Sequence, residues 1–241
     1  MTQRRRTLEQ TVAVVRLRYG PTAIKRASDK PVPALSSGFA ALDKALAGGF
    51  PLGRFSELAG QGTAGQLTVA AHTLAQAQRA GRMAAYYVDV GAAVDIEILV
   101  RSGVQLDRLV ILRPHGFAHA LAMTGDLLQA GHTGAIVFDH LDHPHLSADR
   151  EALRQLEQAL RDWTPLLARS QFVFLFITQT ASPGVYPHGL ALSAVSLRLA
   201  FERQAWLYRG PRVIGVTSQV TVLKNKLGPS GQTVSLRFLV T

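Results

Sequence analysis

The chain has 241 residues, room for one α/β domain with a sizeable core and at most a small second unit. It is 47% hydrophobic and 17% charged, which excludes wholesale disorder, and its lack of cysteine excludes a disulfide framework or a thiolate metal site. Lys and Arg number 26 against 16 Asp and Glu, a formal net charge of +10 that attracts polyanions, with nucleic acid the first candidate and an acidic protein the second.

The N-terminus is basic (Arg4, Arg5, Arg6), but Glu9 and Gln10 follow in place of an apolar signal core, so a secretory signal is not expected. No apolar run approaches the roughly 18–20 residues that span a bilayer. Residues 7–19, TLEQTVAVVRLRY, fit an amphipathic helix whose apolar set is Leu8, Val12, Val15 and Tyr19, and Gly20–Pro21 break it. A connector containing proline, DKPVPALSSG, leads to the main domain, so residues 1–35 read as an arm and 36–241 as the core.

From Ser36 strands and helices alternate. Phe39 to Leu46 is a short helix closed by Gly48 and Gly49, RFSELAG (54–60) a strand, and QLTVAAHTLAQAQRAG (66–81) a helix. MAAYYVDV (83–90) is a buried strand, VDIEILVRSG (94–103) a helix, and LVILRP (109–114) a strand before a helix that runs to about Gly131. GAIVFDH (134–140) is an apolar strand ending in an acid, 148–170 an amphipathic helix, and QFVFLFITQT (171–180) a continuously apolar strand. The remaining segments, SLRLAFER, RVIGVTSQVTVLKNK and TVSLRFLV, alternate with period two. Apolar strands first and alternating strands last predict a mostly parallel sheet flanked by helices, with an antiparallel C-terminal extension.

The chemistry concentrates in GQGTAGQLT (60–68). Gly60 and Gly65 have the spacing of a phosphate-binding loop, G-x-x-x-x-G-K-[ST], but Gln66 stands at the lysine and Leu67 at the magnesium-binding hydroxyl, with Thr68 next door. SSGFAALDKALAGGFPLGRFSELAGQGTAGQLT (36–68) resembles the same region of the bacterial recombinase RecA. VRLRYGPTAIKRASD (15–29) resembles RecA's N-terminal oligomerisation helix and link, and FLFITQT the strand ending in its nucleotide-sensing glutamine, here Gln179. SAVSLRLAFER (193–203) and VTVLKNK (220–226) resemble its later core strands. The resemblance implies a RecA-like P-loop NTPase core without RecA's C-terminal domain.

The same resemblance locates the departures. RecA's catalytic glutamate follows the second core strand in a D-x-E arrangement; Asp89 is present here, but the glutamate position is Gly91. A working loop neutralises the β and γ phosphates with its lysine and holds magnesium with its hydroxyl. Loss of lysine, hydroxyl and glutamate together implies no hydrolysis, and no cofactor is expected, ATP and magnesium included. Asp139 remains at the Walker B position. Lys224 and Lys226 match the pair that in RecA reaches a neighbouring protomer's γ-phosphate; a pair of solvated charges is the plainer reading. Only Thr180 and ASPGVYPHGLAL (181–192) separate Gln179 from Ser193, so RecA's two DNA-contacting loops are shortened and strand exchange is not implied.

DHLDHPH (139–145) packs Asp139, His140, Asp142, His143 and His145 together, yet its spacing matches no metal motif and no metal is expected. Trp163, Trp206 and Tyr208 could stack on bases, although core or interface packing is the commoner use of such residues. A RecA core lacking the C-terminal domain and the catalytic groups is most similar to the ImuA group. That resemblance implies a cytoplasmic, nucleoid-associated, non-enzymatic accessory of translesion synthesis. Its partners would be an ImuB-like polymerase homologue, RecA itself, and DNA bound without sequence preference. It further implies a homodimer, a short oligomer or a heteromer, with the arm as the assembly element. Two alternatives stay open: a SulA-like inhibitor that binds the tubulin-like division protein, and a weak ATPase completed by a neighbour's Lys224 or Lys226.

Overall fold

The computed structural model describes residues 3–20, 32–81, 84–92, 94–131, 133–139, 150–179 and 191–239. The chain divides into two compact units, residues 1–32 and 33–241, three residues ahead of the expected boundary. The described element of the first unit is helix α1, Gln3–Tyr19, with arginines in both its first and last turns. Val12 is buried and Val15 half-buried, whereas Val14, Leu17 and Tyr19 are exposed; the side chain of Leu8 lies outside the described residues. Tyr19, the last residue of the expected apolar set, is 64% exposed.

The second unit opens with a small antiparallel pair, β1 (Ala34–Leu35) and β2 (Phe50–Pro51), which brackets helix α2 (Ala40–Ala45). Its main sheet holds eight strands in the order β10-β9-β8-β3-β7-β6-β4-β5. These are β3 (Arg54–Gly60), β4 (Ala84–Asp89), β5 (Leu109–Leu112), β6 (Thr133–Asp139), β7 (Gln171–Thr178), β8 (Leu197–Arg209), β9 (Arg212–Asn225) and β10 (Thr233–Leu239). From β5 to β8 every neighbour is parallel; β8, β9 and β10 are joined antiparallel. The expected mostly parallel sheet with an antiparallel extension is the observed one.

Helices cover both faces of the parallel part, which is why its strands are apolar without alternation. Helix α3 (Gln66–Arg79) and helix α4 (Ile96–Arg101) lie with α2 on one face, where Leu58, Tyr87, Val137 and Leu175 meet Leu42, Val69 and Leu74. On the other face α5 (Phe117–Gln129) and α6 (Arg150–Arg169) bury Phe55, Ile136, Phe138, Phe174 and Phe176 against Leu121, Leu160 and Trp163. Trp163 is thus a core residue. A short helix α7 (Ala191–Ala194) precedes β8. Burial in β10 alternates along the strand, matching its period-two sequence.

Candidate functional site

Strand β3 delivers Gly60 to the sheet's C-terminal edge, and the chain turns there into α3, the strand–loop–helix order of a phosphate-binding loop. Gly65 ends the loop at φ 100°, a left-handed conformation that favours glycine. The two loop glycines also have packing reasons to lack a side chain. A Cβ on Gly60 would lie 2.9 Å from the Cβ and carbonyl oxygen of Phe201 in the neighbouring strand. A Cβ on Gly65 would lie 2.1 Å from the Phe238 ring, which also meets Phe39 edge-on at 5.4 Å. An aromatic side chain from β10 therefore stands directly against the loop.

Gln66, at the lysine position, is buried, and its amide Nε2 donates to the Gly60 carbonyl at 2.9 Å. The loop is closed on itself by that bond. Gln66 Oε1 is buried without a hydrogen-bond partner among the described residues, an acceptor where an anionic phosphate needs donors and positive charge. Leu67 is half-buried and packs on the core, and Thr68 is half-buried beside it.

The acid ends of β4 and β6 come together as neighbouring strands in register, with Asp89 opposite Asp139 and both buried. The hydroxyl of Tyr87, two residues before Asp89, donates to Asp139 Oδ2. Burial, and after it the carboxylates of Asp139, Asp89 and Asp95, pushes the Tyr87 phenol far above its ordinary range. Tyr87 thus stays protonated and remains a donor to the Walker B acid. Replacing Tyr87 by Phe removes that donor; thermal or denaturant unfolding is expected to show a loss of about 0.5–1.5 kcal/mol.

A cavity of about 530 Å³ remains beside the loop, lined among others by Thr68, His72, Asp95, Arg101, Asp139 and Gln179. His72 is held below its usual range by burial and then by Arg79, so it is neutral near pH 7. Gln179, exposed just past β7, and Gly91, in the turn after β4, end at the same edge of the sheet. Taken together, these residues do not fit a magnesium-bound triphosphate: the cation is replaced by an engaged amide, the hydroxyl by leucine, and the acid is hydrogen-bonded by tyrosine. The metal candidates His140, Asp142, His143 and His145 lie outside the described residues. Among the described residues no group of three or more metal-ligating side chains occurs.

Lys224 and Lys226 are not among the residues that line this cavity. Arg198 sits opposite Lys224 in β9 and opposite Glu57 in β3, three residues before Gly60. Burial, then the Lys226 and Arg198 charges, lowers the Lys224 ammonium, with Glu57 opposing. Lys226 Nζ donates to the Ser193 carbonyl at 2.6 Å.

The profile of the RecA N-terminal domain matches residues 6–241. The chain belongs to the RecA family. It is 33% identical over 249 residues to Protein RecA of Corynebacterium pseudotuberculosis, covering 94% of this chain and 67% of that one. To Protein RecA of Chloroherpeton thalassium it is 32% identical, covering 96% and 71%. Against that of Acholeplasma laidlawii it is 30% identical, covering 98% and 78%. The matched residues include the core described above, the loop at 60–68 among them.

Three features of the site were not read from the sequence: the closure of the loop by Gln66, the Tyr87–Asp139 bond and the Phe238 cover. A tyrosine two residues before an acid in a buried strand carried a signal for the second. Nothing local to Phe238 announced the third, which depends on β10 folding back beside β9.

Proposed function

We propose that this RecA-family protein is a non-catalytic accessory of bacterial DNA damage tolerance, of the ImuA kind, that joins protein partners and DNA. The observation that carries this reading is Gln66. In place of a lysine free to meet phosphate, a buried amide bonds the loop's own Gly60 carbonyl. The loop glycines are explained by φ 100° at Gly65 and by the close approach of Phe201 and Phe238, with no nucleotide required. A core kept intact while its reactive positions change is what an adaptor needs: surfaces held by a stable sheet, with no chemistry at its edge.

The partner implied by the resemblance to the ImuA group is an ImuB-like polymerase homologue, with RecA a second candidate. The arm, residues 1–35, is proposed as the assembly element because Leu17 and Tyr19 are large apolar side chains left exposed on α1. Affinity purification of the tagged full chain from DNA-damaged cells tests this. The expected result is recovery of the polymerase homologue, reduced for a version lacking residues 1–30. Recovery of the tubulin-like division protein in its place would favour the SulA-like reading.

A further inference from the structure

The cavity of about 530 Å³ beside the loop holds acids at a place where the loop's lysine is replaced by Gln66. Asp139 and Asp95 line it, and Asp89 is buried in the strand next to Asp139. The Tyr87 phenol registers their field: after burial, the carboxylates of Asp139, Asp89 and Asp95 are what hold its proton. Arg101 also lines the cavity, but its guanidinium is ion-paired with Glu97. His72, a further lining residue, is neutral near pH 7. Gln66, 3% exposed, lines the cavity too. With Nε2 given to the Gly60 carbonyl, its Oε1 is left buried with no hydrogen-bond partner among the described residues. The apolar walls include Leu67, Ile98, Ile177, Val216 and the Phe238 ring.

We propose that this cavity binds a free aliphatic amine, with the ammonium at the Asp95 and Asp139 carboxylates and the methylene stem on the apolar walls. An ammonium brings three donors and no acceptor, which complements two carboxylates and an amide oxygen. An alkyl ammonium with a pKa near the lysine value of about 10.4 stays charged at neutral pH. The Phe238 ring adds cation–π attraction for a cation over its face. Other classes of occupant leave a group unmet. A phosphate is favoured by the N–H groups that open α3, but it meets carboxylates and an acceptor oxygen. An uncharged apolar molecule leaves the buried Asp139 carboxylate without a counter-charge. A bare metal ion finds no group of three ligating side chains among the described residues. The chain's net charge of +10 repels cations in general, so amine binding reports the local field of this cavity. The inference rests on the replaced lysine and needs neither a protein partner nor DNA.

Isothermal titration of the full-length protein with putrescine, and with the corresponding uncharged diol, tests this. Saturable one-to-one binding of putrescine and none of the diol is the expected result. Asp139→Asn is expected to weaken putrescine binding about 10- to 100-fold, the worth of a hydrogen bond to a charged group. Asp95→Asn keeps the N-cap of α4 and is expected to weaken it about 2- to 5-fold, because Asp95 is exposed. Gln66→Lys is expected to abolish binding, since its tethered ammonium takes the ligand's place. Circular dichroism melting is the folding control, and an Asn at 139 still offers an acceptor to Tyr87. No saturable binding of putrescine below about 10 mM, or equal binding of the diol, would overturn the proposal. Putrescine affinity undiminished in both Asp95→Asn and Gln66→Lys would overturn it too, placing the amine elsewhere on the protein. Tighter binding of pyrophosphate than of putrescine would do the same, the N–H groups of α3 then outweighing the acids. Tighter binding of Nα-acetyl-lysine amide than of putrescine would overturn the assignment to a free amine.

Discussion

Purified protein is expected to turn over ATP no faster than a protein-free control, with or without DNA. Removal of a single preorganised electrostatic contact costs about 10²–10³ in rate, and three positions differ here: Gln66, Leu67 and Gly91. Their joint loss is not a simple product, but even two such factors put turnover below ordinary detection. The geometry adds reasons that composition could not supply. The Gln66 amide is committed to Gly60, Asp139 accepts from Tyr87, and Phe238 crowds Gly65. Gln66→Lys with Leu67→Thr is therefore expected to recover part of nucleotide binding and little hydrolysis, since Gly91 still offers no carboxylate. A coupled-enzyme assay and nucleotide titration on the two proteins decide it. Magnesium-dependent turnover by the wild type that vanishes on Asp139→Asn, or on Lys224→Ala with Lys226→Ala, would overturn the pseudo-enzyme reading in favour of a site completed by a neighbouring protomer.

Strand order aside, most of the architecture was legible because hydrophobic burial leaves a periodic trace. The run QFVFLFITQT, read as a strand over 171–180, is β7 at Gln171–Thr178, and 134–140 is β6 at Thr133–Asp139. Segments covered on both faces read as continuous apolar runs, and β10, half exposed, reads as alternating. The site was legible only as a set of absences. That Gln66 and Leu67 replace a lysine and a hydroxyl is visible in one dimension. What fills the vacated chemistry is not, because Tyr87 lies 52 residues from Asp139 and Phe238 some 170 from Gly65. In the arm, spacing places Leu8, Val12, Val15 and Tyr19 on one face; Val12 is buried and Tyr19 is exposed.

The largest stability effect is expected at a position that the strand RFSELAG displays openly, the carboxylate of Glu57 within an otherwise apolar buried run. Glu57 is 1% exposed; its Oε1 accepts from Thr178 Oγ1 at 2.9 Å, and its Oε2 lies 3.3 Å from Arg198 Nε. Burial lowers the Arg198 pKa, with Glu57 opposing, so the guanidinium stays charged near neutrality and remains the counter-charge. Removing one member of a buried pair strands the other, at about 3–5 kcal/mol. Arg198→Ala is placed near the lower end, about 3 kcal/mol, because the Lys224 ammonium faces the same carboxylate. Replacing both members with apolar side chains, Glu57→Leu with Arg198→Met, is expected to regain most of that loss. Urea unfolding of the single and double variants measures both effects, and a cost under 1 kcal/mol for Arg198→Ala would show Lys224 to be the dominant partner. The cluster ties β3 and β7 of the parallel sheet to β8 and β9, where the antiparallel extension begins.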